Sequence, residues 1–181
     1  MNALAVLLLV CLPFSCCAPP PVDKDCWRGK HNNAWEAIQG FPTGVYFLTR
    51  TTRSNNDRCP YVKLPNNTQK IPYQYKANLT YGHLKGGNQV EYTLQVEARG
   101  AYILYEKGNP NTTVDYYDPS GCYITRILDC SRQPGWHFEL WDHSGAGSTS
   151  RCCSQVFKHR INGRQFWYKY NAYDIDECRI K

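Results

Sequence analysis

Methionine is nearly missing from this chain: Met1 is the single one in 181 residues. Basic side chains exceed acidic ones by 21 to 15, yet they form no Lys/Arg block of the kind that marks a nucleic-acid-binding tract. No Cys-x-x-Cys occurs, so neither a zinc ribbon nor a thioredoxin-type redox pair is expected. His31, His83, His137, His143 and His159 fall in no HExxH or similar ligand spacing, and GxSxG and P-loop signatures are absent. The acids Asp174, Asp176 and Glu177 sit beside Cys178 and read as a solvated face rather than a catalytic pair. These absences point away from an enzyme. Internal repeats and low-complexity tracts are lacking as well. Glycine, at 13 residues, is too sparse for collagen, and an apolar fraction of 42 % is too high for a disordered chain.

What is abundant is aromatic and sulfur-bearing: 14 Tyr, 5 Trp, 6 Phe and 10 Cys. Residues 1–17 carry no charge, and Ala3 to Leu12 form an apolar run of ten that Pro13 breaks. That is the length of an export-signal core and about half of what a bilayer-spanning helix needs. Residues 18–181 then suit one exported domain, with no membrane partner expected. Cys26, Cys59, Cys122, Cys130, Cys152, Cys153 and Cys178 remain after the signal, which reads as a disulfide framework with one thiol left over. Their spacing alone does not give the pairing. Three glycosylation acceptors, Asn66, Asn78 and Asn111, all fall between Cys59 and Cys122.

His31 to Gly40 (HNNAWEAIQG) reads as a short helix, with Asn32 or Asn33 as cap, Glu36 at capping-box distance from Asn33, and Gly40 as stop. Ala34, Trp35 and Ile38 share one face. Strands are expected at Val45–Thr52, Tyr73–Tyr81, Val90–Ala98, Tyr102–Glu106, Thr112–Tyr117, Cys122–Leu128 and Trp136–Trp141. Val90–Ala98 alternates apolar and polar side chains over nine residues. Turn residues, among them Gly86-Gly87, separate the strands. Ser150–Ile161 switches to helical spacing, with Lys158, His159 and Arg160 in the last turn, where the helix dipole favours them. The order is short helix, about eight strands and helix. It fits an antiparallel barrel, which can hold a ligand, or a sandwich, which fills its core.

Trp136 to Trp141 (WHFELW) carries the chemistry. Alternation puts Trp136, Phe138 and Leu140 on one face and His137, Glu139 and Trp141 on the other. With the first face under the C-terminal helix, Glu139 and Trp141 point into a barrel. A carboxylate there costs several kcal/mol unless a cation or hydrogen-bond donors meet it. A ligand ammonium between Glu139 and aromatic walls satisfies it by charge and by cation–π attraction. Solvent contact or an internal Arg partner is the alternative placement.

Together, HNNAWEAIQG, GVYFLTRTT, GCYI, FELW, the Cys152-Cys153 pair followed by Val156-Phe157, and the final Asp176-Glu177-Cys178 resemble the tick salivary lipocalins of the histamine-binding-protein family. The resemblance runs from about Cys26 to Cys178. It implies a mainly β fold: an eight-stranded antiparallel lipocalin barrel with a short N-terminal helix and a C-terminal helix, stapled by disulfides. It implies a secreted protein that sequesters a host inflammatory mediator, and a ligand site at Glu139, Trp141, Tyr123, Trp35, Tyr46 and His137. The family's amine motif has Asp where Tyr123 stands, and many members have Asp where Asn33 stands, so of those three carboxylates Glu139 alone remains. The expected ligand is a biogenic amine, histamine or serotonin. Alternatives are a leukotriene-like lipid whose acid meets Arg50 or Arg53, or a host complement or immune-cell protein bound through the loops. The same resemblance implies the bridges Cys59–Cys178, Cys122–Cys153 and Cys26–Cys152, with Cys130 free or joining two chains. Cys130–Cys152 is the other option.

Overall fold

A computed structural model describes residues 19–27, 32–39, 44–54, 57–106, 112–129, 135–143, 150–168 and 178. The expected export segment, Gly40, Asn111, Cys130 and the acids at 174, 176 and 177 lie outside the described residues. In chain order the elements are α1 (Ala34–Gln39), β1 (Val45–Thr51), β2 (Arg58–Lys63), β3 (Lys70–Ile71), β4 (Lys76–Lys85), β5 (Asn88–Arg99), β6 (Tyr102–Tyr105), β7 (Thr112–Asp118), β8 (Cys122–Asp129), β9 (Gly135–His143), α2 (Arg151–Ile161) and β10 (Trp167–Tyr168). Neighbouring strands pair antiparallel in the order β1-β2-β4-β5-β6-β7-β8-β9, and β9 pairs back onto β1. Closure of this eight-stranded ring leaves a hollow rather than a second sheet, which decides between barrel and sandwich. The two-residue strands β3 and β10 sit beside it, on β4 and β1.

Two layers of apolar side chains follow from the alternation. Tyr46, Leu48, Val62, Ala77, Leu79, Val96, Ile103 and Val114 turn inward and join Ala34, Ala37 and Ile38 of α1. Phe138 and Leu140 turn outward with Tyr116 and Ile124, and Val156, Phe157 and Ile161 of α2 cover them. Helix α2 starts where the Ser150 side chain accepts from the Cys153 N–H, and it is capped at its C-terminal end by Asn162 in the left-handed conformation. In α1, Asn33 Oδ1 accepts from the N–H groups of Trp35 and Glu36, and Asn33 Nδ2 donates to Glu36, as expected of that cap.

Three expectations shift. Strand β2 is an addition to the strands expected from sequence. Tyr73 and Gln74 lie in a 3₁₀ turn closed by Tyr75 at φ 52°, so β4 begins only at Lys76. In β5 the expected inward face is buried at Val96 and Ala98 but exposed at Val90 and Tyr92, because the β4–β5 hairpin reaches beyond the ring. Gly86 and Gly87 close that hairpin with φ of 59° and 80°, and both positions of such a turn need a positive φ.

The disulfides are Cys26–Cys152, Cys59–Cys178 and Cys122–Cys153, the pairs that the resemblance implies. Two of them tie the N-terminal segment and β8 to the first turn of α2. No helix among the described residues is long and apolar enough to cross a membrane.

Candidate functional site

The ring encloses a cavity of about 400 Å³. Its floor is apolar: Ala37 and Ile38 of α1 with Leu48, Leu79 and Ile103. At the other end Arg53, Asp57 and the half-exposed Tyr92 border it. Between these levels lie Glu139, Trp141, Tyr123, Thr125, Tyr81 and Tyr105.

Glu139 lies inside the ring because Phe138 and Leu140 are drawn outward beneath α2, and the period of two leaves the residue between them no other side. It is 8 % exposed. The Trp141 indole N–H donates to its Oε2 at 3.2 Å, and the Thr125 hydroxyl donates to the same oxygen at 3.4 Å. Loss of water pushes the Glu139 carboxyl above its ordinary range. The Arg53 charge, those two donors and nearby His137 offset this only in part. Arg53 itself pairs with Asp129 at 3.1 Å and is not a dedicated counter-ion for Glu139. The carboxylate therefore faces the cavity with less solvation than it had in water, which favours a cation arriving there.

The walls are rings. Tyr123 and Trp141 stack at 6.1 Å between centroids, and Tyr81 stacks with Tyr92 at 5.8 Å. Faces of this kind hold a flat ring, and they attract a cation through their quadrupole.

Of the six side chains expected at the ligand, Glu139, Trp141 and Tyr123 meet in the cavity wall. Three lie elsewhere. Tyr46 is fully buried behind Tyr123, at 5.2 Å between rings, with His143 on its other side. Trp35 turns from the floor to meet Tyr75 edge-on at 5.7 Å, because the α1 face toward the cavity is Ala37 and Ile38. His137 pairs in register with Ile127, nearer the start of β9, and is buried outside the lining, though its charge acts on Glu139. Of the two arginines weighed for a lipid acid, Arg53 borders the cavity. Arg50 points outward, donating to Ser154 at 2.9 Å with the Tyr168 ring 5.5 Å away. Tyr81, Tyr92 and Tyr105 are lining residues that the sequence reading does not single out, although the alternation of Tyr92 with Leu94 is a usable signal.

Asn66 is exposed, and its Oδ1 accepts from Thr68 Oγ1 at 2.7 Å and from the N–H groups of Thr68 and Gln69. Asn78 lies on the outer side of β4, between buried Ala77 and Leu79.

No family model matches the chain. Among solved structures it is similar to AM182 in its serotonin complex, at 28 % identity over 78 % of this chain and 91 % of that one, with a TM-score of 0.65. Siderocalin Ex-FABP matches at 8 % identity over 69 % of this chain and 83 % of its own, with a TM-score of 0.51. A second siderocalin with a dual ligand-binding mode matches at 9 % identity over 77 % and 93 %, with a TM-score of 0.55. The fold is thus that of the lipocalins, and the particular barrel here is one with a buried carboxylate set among stacked rings.

Proposed function

We propose that this chain is a secreted, non-enzymatic scavenger that sequesters a small host mediator, most directly a biogenic amine, inside its barrel. The observation that carries the reading is Glu139, a carboxylate held in a ring-lined cavity with no ion-pair partner of its own among the described residues. An ammonium at its oxygens supplies charge-assisted hydrogen bonds in place of the water that burial removes, and the stacked rings take the flat remainder of the ligand. The similarity to a barrel solved with serotonin supports the same reading, as does the resemblance to the tick salivary histamine-binding family. Tyr123 and Asn33 are neutral where the family's motif and many of its members carry Asp, so of those three family carboxylates Glu139 alone is left for the amine. Export and glycosylation at Asn66, Asn78 and Asn111 belong to this proposal.

A lipid acid is the second reading, and Arg53 at the cavity border favours it. Asp129 already holds that guanidinium, and Glu139 and Asp57 oppose an anion beside it, so the amine fits the site better. Calorimetric titration of the signal-free glycoprotein with histamine, serotonin and a leukotriene separates the two readings. Saturable amine binding that Glu139→Gln weakens by about tenfold or more is expected, the worth of one charge-assisted hydrogen bond. Lipid binding indifferent to that substitution, with no amine heat, would replace the amine reading.

A further inference from the structure

A chain of hydroxyls crosses the wall opposite Glu139. Around the closed ring, β5 stands four strands from β9 in either direction, and β4 and β6 flank it. From these flanks Tyr81 and Tyr105 reach into the cavity, and their phenolic oxygens lie 3.0 Å apart. Tyr105 continues to Thr112 Oγ1 on β7 at 3.3 Å. Three hydroxyls carry three protons, and these two hydrogen bonds use two of them. One O–H donor therefore remains over, together with free lone pairs, in a wall that faces the cavity. Stacking against Tyr92 holds the Tyr81 ring in place. Burial pushes both phenols upward, so at neutral pH they are intact O–H groups and not phenolates.

This wall and Glu139 are close enough to sense each other: the Glu139 charge acts on both Tyr105 and Tyr92. The floor below is apolar, so for a ligand whose ammonium is at Glu139 the spare hydroxyl capacity lies across the cavity from it. We infer that the Tyr81–Tyr105–Thr112 chain is a distal specificity site, which selects arylalkylamines bearing a ring hydroxyl over the same amines without one. The inference rests on the amine reading and adds a second anchor to it. A ring hydroxyl both accepts the spare proton and donates to a free lone pair. A ligand with a bare C–H at that position leaves the buried donor unmet, which is the more unfavourable outcome in a dry site.

The test compares matched pairs: serotonin with tryptamine, and tyramine with phenethylamine. Each is titrated into the wild type, Tyr105→Phe and Tyr81→Phe. The expected result is a preference for the hydroxylated member of each pair of about threefold to tenfold in the wild type. That preference is abolished in Tyr105→Phe and reduced in Tyr81→Phe, read as the ratio of affinities within each pair. Circular dichroism and a cooperative thermal melt show that each variant is folded. Equal affinity within both pairs in the wild type, or a preference that survives both substitutions, overturns the distal site and leaves amine binding standing. Failure of all four amines to bind the wild type overturns the amine reading and this inference with it.

Discussion

A carboxylate in the position of Glu139 loses its water on folding, and the Trp141 indole and the Thr125 hydroxyl replace only part of it. Its proton is held more tightly in the native state than in the unfolded one. Stability from this group is therefore present below the ordinary carboxyl pKa and is lost as pH rises through the raised native value. Glu139→Gln keeps an acceptor for both donors and removes the charge. At neutral pH it should stabilise the empty protein by roughly 0.5–2 kcal/mol, the range of single stabilising changes at functional sites. The gain should shrink toward pH 4, where the wild-type carboxyl is already neutral. Thermal melts of both proteins at pH 4 and pH 7.5 check this, and an unchanged difference between the two would show that burial does not govern the group. The same proton couples to ligand. An ammonium needs the carboxylate, so amine affinity should fall as pH drops through the raised value, and binding should release a proton near that pH. Titration in two buffers of different ionisation enthalpy measures the release.

Strand β4 depends on a glycine for a different reason. A Cβ added at Gly82 would fall inside the Tyr61 ring. That ring lies flat across β4, so its hydroxyl meets Glu91 of β5, which Lys63 and Gln89 also hold. Gly82→Ala should cost about 1–3 kcal/mol by overpacking, and Tyr61→Leu should relieve most of it, so the two changes should not add. Denaturant melts of the two single variants and the double variant give the coupling; simple additivity would mean that the ring moves aside freely.

Much of this architecture is legible in the sequence. Seven expected strands and both helices occur close to their expected places, because alternation and capping are local signals that the tertiary fold does not override. Strand β2 is hidden by Cys59 and Pro60. Cys59 takes φ 49°, and proline breaks a ladder, so the run looks like a loop. At the site, the period of two through Phe138-Glu139-Leu140 places the carboxylate correctly. Tyr46 lies too deep on β1 and Trp35 on the wrong side of α1, and depth along an element is not written in its periodicity. The hydroxyl chain is invisible in sequence because it joins Tyr81, Tyr105 and Thr112 across three strands whose register no single segment encodes.

For the whole molecule, none of the bridged cysteines lines the cavity, although their neighbours Pro60, Tyr61 and Tyr123 do. Cys59–Cys178 spans 119 residues and packs in a cluster with Phe47 and Tyr61. Its main effect is on the unfolded chain, whose freedom a loop of that length restricts strongly. Replacing both cysteines by serine should cost about 2–5 kcal/mol, the usual loss for a native bridge in a small domain. For a domain of this size that is a fall in Tm of roughly 5–20 °C. Ligand binding acts on the native state instead. An amine at a hundred times its Kd should return about 2.7 kcal/mol to wild type and variant alike. Scanning calorimetry of both proteins, with and without saturating amine, tests this separation. Equal ligand-induced shifts and equal Kd values are expected. A variant that keeps its fold but loses amine affinity would show that the bridge shapes the cavity, and that staple and site act as one unit.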